Sequence, residues 1–162
     1  MRKIGVLFSY NKDVIDVLSA MAEIDSERLG ERQSLADVLR NVIRAYIESR
    51  SGEKFILDSI IERNRVKGCQ CYRCTGVIRI NPLSRKSAVS FNLSVDEFEI
   101  LRAMAELDGQ KDGPESISDQ IHGAIRNYIK SRSGEMPMID GIVRRNKEES
   151  EERLRKLLKP RS

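Results

Sequence analysis

The chain has 162 residues and a net charge of +4, with 33% charged, 40% hydrophobic and 5% aromatic residues. This composition permits one ordinary domain or two very small ones with an aliphatic core, and it excludes a compositionally disordered chain. The single histidine, His122, leaves little material for a catalytic triad or a histidine-rich metal centre, so we expect a protein that is not an enzyme. No apolar run approaches membrane-spanning length and no signal peptide is evident, so the expected location is the cytoplasm.

The sequence contains an internal repeat. Residues 20–25 (AMAEID) recur as 103–108 (AMAELD), and residues 46–53 (YIESRSGE) recur as 128–135 (YIKSRSGE). The copies are 83 positions apart in the first block and 82 in the second, so one residue is lost in the glycine-containing segment between the blocks. Because order and spacing hold over more than 60 positions, the pattern indicates a duplicated unit rather than two helices that are alike by chance.

Each copy opens with a predicted β-strand. Apolar residues occupy every second position in residues 4–10 and again in residues 89–93. This alternation predicts a strand with one buried face and one exposed face. The inward positions are Ile4, Val6, Phe8 and Tyr10, then Val89, Phe91 and Leu93, and the outward positions are Lys3, Gly5, Leu7 and Ser9, then Lys86, Ala88, Ser90 and Asn92.

Two helices are predicted after each strand. Asn11 and Ser94 have the side chains expected of N-caps for the first helix, and Ser34 and Ser116 those for the second. Gly30 and Gly113 separate the two helices, and Ser51-Gly52 and Ser133-Gly134 are the expected stops of the second. Helical spacing predicts these buried positions: Val14, Val17, Leu18, Met21 and Ala22, then Leu35, Val38, Leu39, Val42, Ile43, Tyr46 and Ile47; in the other copy Phe98, Leu101, Met104 and Ala105, then Ile117, Ile121, Ala124, Ile125, Tyr128 and Ile129.

A third, shorter helix is predicted in each copy. Its apolar stripe comprises Phe55, Ile56, Ser59, Ile60 and Arg63 in the first copy, and Met138, Ile139, Ile142 and Val143 in the second. The second of these helices is expected to continue through a charged tail whose apolar stripe is Leu154, Leu157 and Leu158. This tail is either a frayed helical end or an interaction segment.

A lone strand in each copy leaves its backbone donors and acceptors without partners. The strand of the other copy is the obvious partner, which predicts a mainly α fold with a short two-stranded antiparallel β-ribbon over four helices, related by a pseudo-twofold axis. The boundaries predicted are 1–64 for the first repeat with its third helix, 65–84 for a basic linker that contains cysteines, 85–147 for the second repeat with its third helix, and 148–162 for the tail.

The order of strand, helix, glycine-containing loop and serine-capped helix resembles the ribbon-helix-helix DNA-binding family of the Arc and MetJ type. The run Ala88-Val89-Ser90-Phe91-Asn92-Leu93-Ser94-Val95-Asp96-Glu97-Phe98 is similar to the strand-to-helix junction of that family. The resemblance covers about residues 2–50 and 85–132. With both halves in one chain, it is closest in kind to tandem members found among archaeal viral regulators and conjugation accessory proteins.

The resemblance implies that outward ribbon side chains read base edges in the major groove of DNA. Asn92 is suited to a bidentate contact with adenine, the serines can serve several bases, and Leu7 can touch a thymine methyl group. Arginine and lysine are scarce at the central outward positions, which departs from the family pattern. The expected base-reading residues are Lys3, Gly5, Leu7, Ser9, Lys86, Ala88, Ser90 and Asn92.

The family also anchors DNA phosphates at the N-terminus of the second helix, where backbone N–H groups and the positive end of the helix dipole point outward. The residues that match are Gln33, Ser34, Ser116 and Ser118, with Arg28, Arg32 and Lys111 in the preceding loops. No carboxylate lies between Glu62 and Asp96, a stretch that contains the further phosphate-binding candidates Arg73, Arg79 and Arg85.

All three cysteines, Cys69, Cys71 and Cys74, lie in this linker. The run Cys71-x-x-Cys74-Thr75-Gly76 looks like half of a zinc knuckle, yet a closed zinc site needs four ligands. Zinc binding, a disulfide and free thiols all remain open, and no firm cofactor is expected. After the cysteines, residues 77–80 are predicted to form a small strand or hairpin.

The function that these features favour is a sequence-specific, double-stranded-DNA-binding transcription regulator such as a repressor. Its expected partners are duplex DNA and, on DNA, a homodimer or cooperative higher assembly, with no membrane; a viral regulator would act in the host cytoplasm. The alternatives are a conjugation or partition accessory protein or an antitoxin with the same fold, and, from another class, a helical scaffold for protein–protein interaction.

Overall fold

The structure, a computed structural model, describes residues 3–66, 77–80, 87–113 and 116–159. This part of the chain is mainly helical, with a small sheet, as the repeat predicts. Two single 3-10 turns, Ser51–Glu53 and Ser133–Glu135, precede the third helix of each copy. The elements in order are β1 Lys3–Tyr10, α1 Lys12–Leu29, α2 Leu35–Ser49, α3 Lys54–Val66, β2 Val77–Ile80, β3 Ser87–Ser94, α4 Val95–Asp112, α5 Ile117–Ser131 and α6 Met136–Leu158.

The strands β1 and β3 pair antiparallel, which confirms the predicted pairing between the strands of the two copies. Leu7 lies opposite Ser90, and these two residues occupy equivalent positions in the repeat, 83 residues apart. A pairing that is symmetric about two equivalent residues relates the strands by an approximate twofold rotation. The remainder of each copy therefore starts from equivalent positions on opposite sides of the ribbon.

The predicted strand at residues 77–80 is present as β2. It pairs parallel with the other edge of β1, so the sheet has the order β2-β1-β3. The register places Val77 beside Gly5 and Arg79 beside Leu7. Since β1 is thereby flanked on both sides, the sheet is wider than the two-stranded ribbon expected from the sequence.

The inward face of the β1–β3 pair closes the core, and the predicted phase of both strands is confirmed. Ile4 and Val6 on β1, like Phe91 and Leu93 on β3, are buried against the helices, whereas Lys3, Ser90 and Asn92 are exposed. The side chains of Leu7, Phe8, Ser9, Ala88 and Arg79 lie outside what the structure describes, although their backbone is placed in the sheet.

The helices of the two copies pack against each other beneath the sheet. α2 contacts α5, and each contacts its own preceding helix. The predicted core residues Leu18, Met21, Leu101 and Met104 are fully buried, but Val14 and Val17 are only partly so. The sequence pattern missed Ile15, Ala20, Ile24, Ala103 and Leu107, which are also buried.

The third helices cross to the opposite copy. α3 packs on α4 and α6 packs on α1. Arg65 Nε lies 2.8 Å from Glu99 Oε2, and Arg63 pairs with Glu106, so ion pairs accompany the first crossing. Arg145 pairs with Glu23 at the second crossing. Because each repeat supplies a helix to the other, the predicted segments 1–64 and 85–147 are not separate packing units.

The predicted apolar face of α3 is only partly right. Ile60 is buried as predicted, and Leu57 and Ile61 are buried with it, but Phe55 is 88% exposed and Ile56 is 51% exposed. The buried stripe is rotated relative to the predicted one because α3 packs against α4 of the other copy. On α6 the predicted Ile139 is buried and Ile142 and Val143 are partly buried, whereas Met138 is exposed.

The glycines after α2 and α5 do not end those helices in a left-handed cap. α2 ends at Ser49, and the Arg50 N–H turns back to the carbonyl oxygen of Ile47, 3.1 Å away, to enter the 3-10 turn. Among the described glycines only Gly30 and Gly113 have positive φ, 67° and 99°. These two positions match the predicted breaks after α1 and α4 and favour glycine there.

α3 continues to Val66, into the segment expected to be linker, and the predicted strand β2 also lies in that segment. α6 continues without interruption through residues 147 and 148 to Leu158, as expected from the sequence.

We expect Phe91→Ala to lower the free energy of unfolding by about 3–5 kcal/mol, because it leaves a cavity in the core shared by both copies. Asn92→Ala, at the next position but on the exposed face, should change it by less than about 0.5 kcal/mol. Urea unfolding followed by circular dichroism measures both. A larger destabilisation by Asn92→Ala than by Phe91→Ala would contradict the assigned faces, since a slip of one residue exchanges them.

Candidate nucleic-acid interface

The outward face of the β1–β3 pair is polar and accessible. Lys3 on β1 and Ser90 and Asn92 on β3 are exposed, and Gly5 is partly exposed. Asn92 lies opposite Gly5, so no large side chain stands across from its amide group. This face carries amide, hydroxyl and ammonium groups that can hydrogen-bond, over a backbone fixed by the core beneath it.

The structure brings most of the predicted base-reading residues into one sheet. Lys3, Gly5, Leu7 and Ser9 follow β1, and Ala88, Ser90 and Asn92 follow β3. For Leu7, Ser9 and Ala88 this statement concerns the backbone alone. Six further candidate residues lie outside the described residues: Lys86, Arg73, Arg85, Cys69, Cys71 and Cys74.

The N-terminus of each second helix is held by a capping box. The Asp37 N–H donates to Ser34 Oγ at 3.2 Å, and the Ser34 N–H donates to Asp37 Oδ2 at 2.9 Å. Ser116 and Asp119 make the same pair of bonds at 3.1 and 2.9 Å. The predicted caps Ser34 and Ser116 are thus confirmed, and the helix starts are rigid.

The capping boxes also bring a carboxylate to each predicted phosphate anchor. Hydrogen bonds from the Ser34 backbone and hydroxyl, with a further one from Arg40, lower the pKa of Asp37 to about 2. The backbone and hydroxyl of Ser116 likewise lower the pKa of Asp119. Both groups are therefore ionised at neutral pH and offset part of the positive end of the helix dipole.

These acids were not singled out in the sequence, although the spacing could have found them. Serine followed three residues later by an acid, just before an apolar run, is a capping-box pattern, and it occurs in both copies. A phosphate bound at either helix start would depend on backbone N–H groups and nearby cations rather than on the helix dipole alone.

The cations and polar groups predicted to assist the anchors differ in their surroundings. Arg28 forms an ion pair with Glu135, and Lys111 Nζ lies 3.9 Å from Glu53 Oε1. The Gln33 N–H donates to Ser26 Oγ at 2.8 Å, which fixes the loop before α2. Arg32 is exposed beside that loop, and Ser118 is partly exposed in the first turn of α5.

The start of α5 lies near one end of the ribbon. The ring of Tyr10, the last residue of β1, is 4.5 Å from the ring of His122, in the second turn of α5. On the other side α2 packs against β3. Both second helices are therefore in direct contact with the β1–β3 pair.

Two largely buried ion pairs lie at the C-terminal ends of α2 and α5. Arg50 forms a bidentate pair with Asp108 at 2.7 and 2.8 Å, and Arg132 forms one with Asp25 at 3.0 and 3.1 Å. Burial raises the pKa of Asp108, but hydrogen bonds from Arg50 and from Gln120 outweigh it and leave that pKa lowered. Sequence reasoning missed both pairs, although the arginines and aspartates recur in the two copies.

Gln120 makes one of these two networks larger than the other. Its amide donates to Asp108 Oδ2 at 2.7 Å, and its oxygen accepts from the Tyr46 hydroxyl at 2.9 Å. The equivalent position in the first copy is the apolar Val38. The two halves are therefore alike in backbone pairing but differ in their interior chemistry.

Within the described residues, no cluster of three metal-ligating side chains occurs and no helix has the length and apolar character needed to cross a membrane. Comparisons of the chain with protein-family models, with curated proteins and with solved structures find no significant match.

The capping boxes predict an acid-dependent loss of stability. The pKa of Asp37 is lower in the folded chain than its ordinary value of 3.8, so its bonds stabilise fully above that pH and the contribution is lost as pH falls toward 2. We expect Asp37→Asn to reduce the fall in urea midpoint between about pH 4 and pH 2. Asp58→Asn, the same change on α3 outside either capping box, is the matched control. An equal effect of the two variants would contradict this role.

Proposed function

We propose that the chain is a sequence-specific, double-stranded-DNA-binding transcription regulator of the tandem ribbon-helix-helix type. The observation that carries this proposal is the antiparallel pairing of equivalent strands within one chain, with a buried inner face and an exposed polar outer face. A two-stranded antiparallel ribbon has the width and curvature to lie in the major groove of B-DNA. The proposal assigns no catalytic residue.

In this proposal the outer face of β3 reads bases. The exposed Asn92 amide both donates and accepts, which suits the N6 and N7 edge of adenine, and the Ser90 hydroxyl can serve any base. Lys3, which pairs with Ser94 at the same end of the ribbon as Asn92, supplies a cation near the groove wall. A small residue, Gly5, faces Asn92 across the ribbon and leaves space for a base edge to approach.

Phosphate contacts position the ribbon. In this proposal the capped starts of α2 and α5 lie over the two DNA backbones, and first-turn N–H groups outside the capping boxes donate to phosphate oxygens. The exposed Arg32 beside the start of α2 offsets the Asp37 carboxylate. β2 lies along one edge of the ribbon, in register with residues 5–8 of β1, so it would follow the groove margin, where Arg79 neutralises phosphate.

A helical protein–protein scaffold and a DNA-processing protein remain the competing functions. The scaffold would bind no duplex, or bind it without a preferred sequence. Selection of bound duplexes from a random pool, followed by footprinting of the selected site, tests the proposal directly. Failure to enrich any sequence at physiological salt would overturn sequence-specific regulation.

We expect Asn92→Ala to weaken binding to the selected site by about 1–3 kcal/mol, with little change on random duplex, because alanine cannot make the bidentate hydrogen bonds to a base. Asn127→Ala, an exposed asparagine on α5 beyond the ribbon, is the matched control and should leave both affinities unchanged. Titration by fluorescence anisotropy at constant salt measures them. Equal affinities for the parent and Asn92→Ala would show that the ribbon does not read the bases.

We expect Arg73, Arg79 and Arg85 to contribute affinity without specificity. Their joint replacement by glutamine should weaken binding to every duplex alike, and the slope of log K against log salt should fall by about 0.9 for each phosphate that is no longer neutralised. Replacing Lys54, Lys130 and Arg144 by glutamine removes the same charge at exposed helical positions. Equal slopes for the two triple variants would show that the three arginines do not neutralise DNA phosphates.

A further inference from the structure

The last three turns of α6 lie on the surface of the fold. Every residue from 147 to 159 is exposed. Leu154, Leu157 and Leu158 lie on one side of the helix at the spacing i, i+3 and i+4, and they are 57%, 82% and 73% exposed. A contiguous apolar stripe on an exposed helix is typical of a surface that another helix covers.

Charge is segregated along this segment. Its first half is acidic and its second half is basic, whereas a solvent-exposed surface normally mixes the two signs of charge. The acidic residues are Glu148, Glu149, Glu151 and Glu152, and the basic residues are Arg153, Arg155, Lys156 and Lys159.

The segment is a formed helix before any partner binds. Glu149 precedes Arg153, Glu151 precedes Arg155 and Glu152 precedes Lys156 by four residues, which is the favourable order for stabilising a helix. Lys156 Nζ lies 3.7 Å from Glu152 Oε1. Because these ion pairs stabilise the helix before binding, little conformational entropy is lost when a partner binds, and the leucines are held in a fixed arrangement.

The leucine stripe continues into a groove. Leu154, Ser150 and Val143 on α6 line it together with Asp13 and Asp16 at the start of α1. The groove therefore joins apolar residues to three carboxylates, those of Asp13, Asp16 and Glu151, against two lysines, Lys12 and Lys147. A basic amphipathic helix matches its apolar residues and its net negative charge. The last turns of α6 are themselves such a helix.

We infer that α6 binds a second copy of this chain, with the two C-terminal segments antiparallel. In that orientation the basic half of each segment faces the acidic half and the groove carboxylates of the other. A parallel arrangement would instead place acidic against acidic and basic against basic residues. With the two Leu154 side chains near the centre of the pair, Leu157 and Leu158 of each copy then pack beside the other's Leu154 and Ser150. This association needs no DNA and goes beyond the proposed function.

The small area of the leucine stripe limits the strength of the association. Three leucines on each side fall short of the about 800 Å² per partner that a stable interface buries. The dimer is therefore weak and concentration-dependent in solution.

Sedimentation equilibrium of the full chain under reducing conditions tests this interface. We expect the mass to rise from 18.5 kDa toward twice that value as concentration increases. Leu157→Glu with Leu158→Glu should weaken dimerisation roughly tenfold or more for each leucine. Leu29→Glu, an exposed leucine at the end of α1, should not change it. A parent chain that stays monomeric at about 1 mM, or a dimer indifferent to the double change, would overturn the inference.

Charge exchange tests whether opposite charges hold the two segments together, and it stays informative even if the leucine variant is misfolded. One variant converts Glu148, Glu149, Glu151 and Glu152 to lysine, and the other converts Arg153, Arg155, Lys156 and Lys159 to glutamate. We expect each alone to be monomeric and their mixture to form a heterodimer, because a fully basic segment then meets a fully acidic one. Circular dichroism checks that both retain their helices. Dimers in the separate variants, or none in the mixture, would contradict pairing through opposite charges.

Discussion

A β-strand with one apolar face and nothing beside it cannot exist in water as part of a stable fold, because its backbone groups and its apolar face both need partners. This chain meets that constraint internally, by pairing β1 with β3. Leu7 and Ser90 lie opposite each other in the sheet and are equivalent in the repeat. The helices that follow the two strands therefore start from equivalent positions on opposite sides of the ribbon. The packing of α2 on α5 and the position of both capped helix starts depend on this register.

The exchanged third helices and the bidentate ion pairs reinforce the pairing from the side away from the sheet. α3 buries Leu57 and Ile61 against the second copy, and α6 buries Ile139 against the first. Arg50 and Arg132 each lie at the end of one copy's second helix and bind an aspartate of the other copy. A loss of the strand pairing would therefore disrupt helix packing in both halves at once, as expected of one cooperative unit.

Much of this arrangement could be predicted because the same sequence pattern occurs in both copies of the repeat. Alternation in the strands identified the buried side of Ile4 and Phe91, and the serines before each second helix identified its N-cap. The orientation of α3 could not be predicted in the same way, since a short helix with apolar residues on several sides takes its buried face from its partner. Phe55 and Ile56 looked suitable in isolation, but the partner, α4, contacts Leu57 and Ile61 instead.

The polar interactions between the copies were harder to predict for a different reason. Asp25 and Arg132 are 107 residues apart, and nothing local in the sequence indicates that they meet. Their recurrence as Asp108 and Arg50 was visible, yet recurrence alone does not distinguish a contact from a shared surface. The wider sheet has a similar origin, because the parallel pairing of β2 with β1 joins segments about 70 residues apart that no turn connects.

Joining both halves in one polypeptide changes what mutation can do to them. In a symmetric homodimer every substitution occurs twice and must be compatible with its own copy across the axis. Here Gln120 occupies the position equivalent to Val38, so one half has a polar interior side chain where the other has an apolar one. A single chain can therefore carry different side chains in its two halves, while the common backbone pairing preserves the shape that they build together.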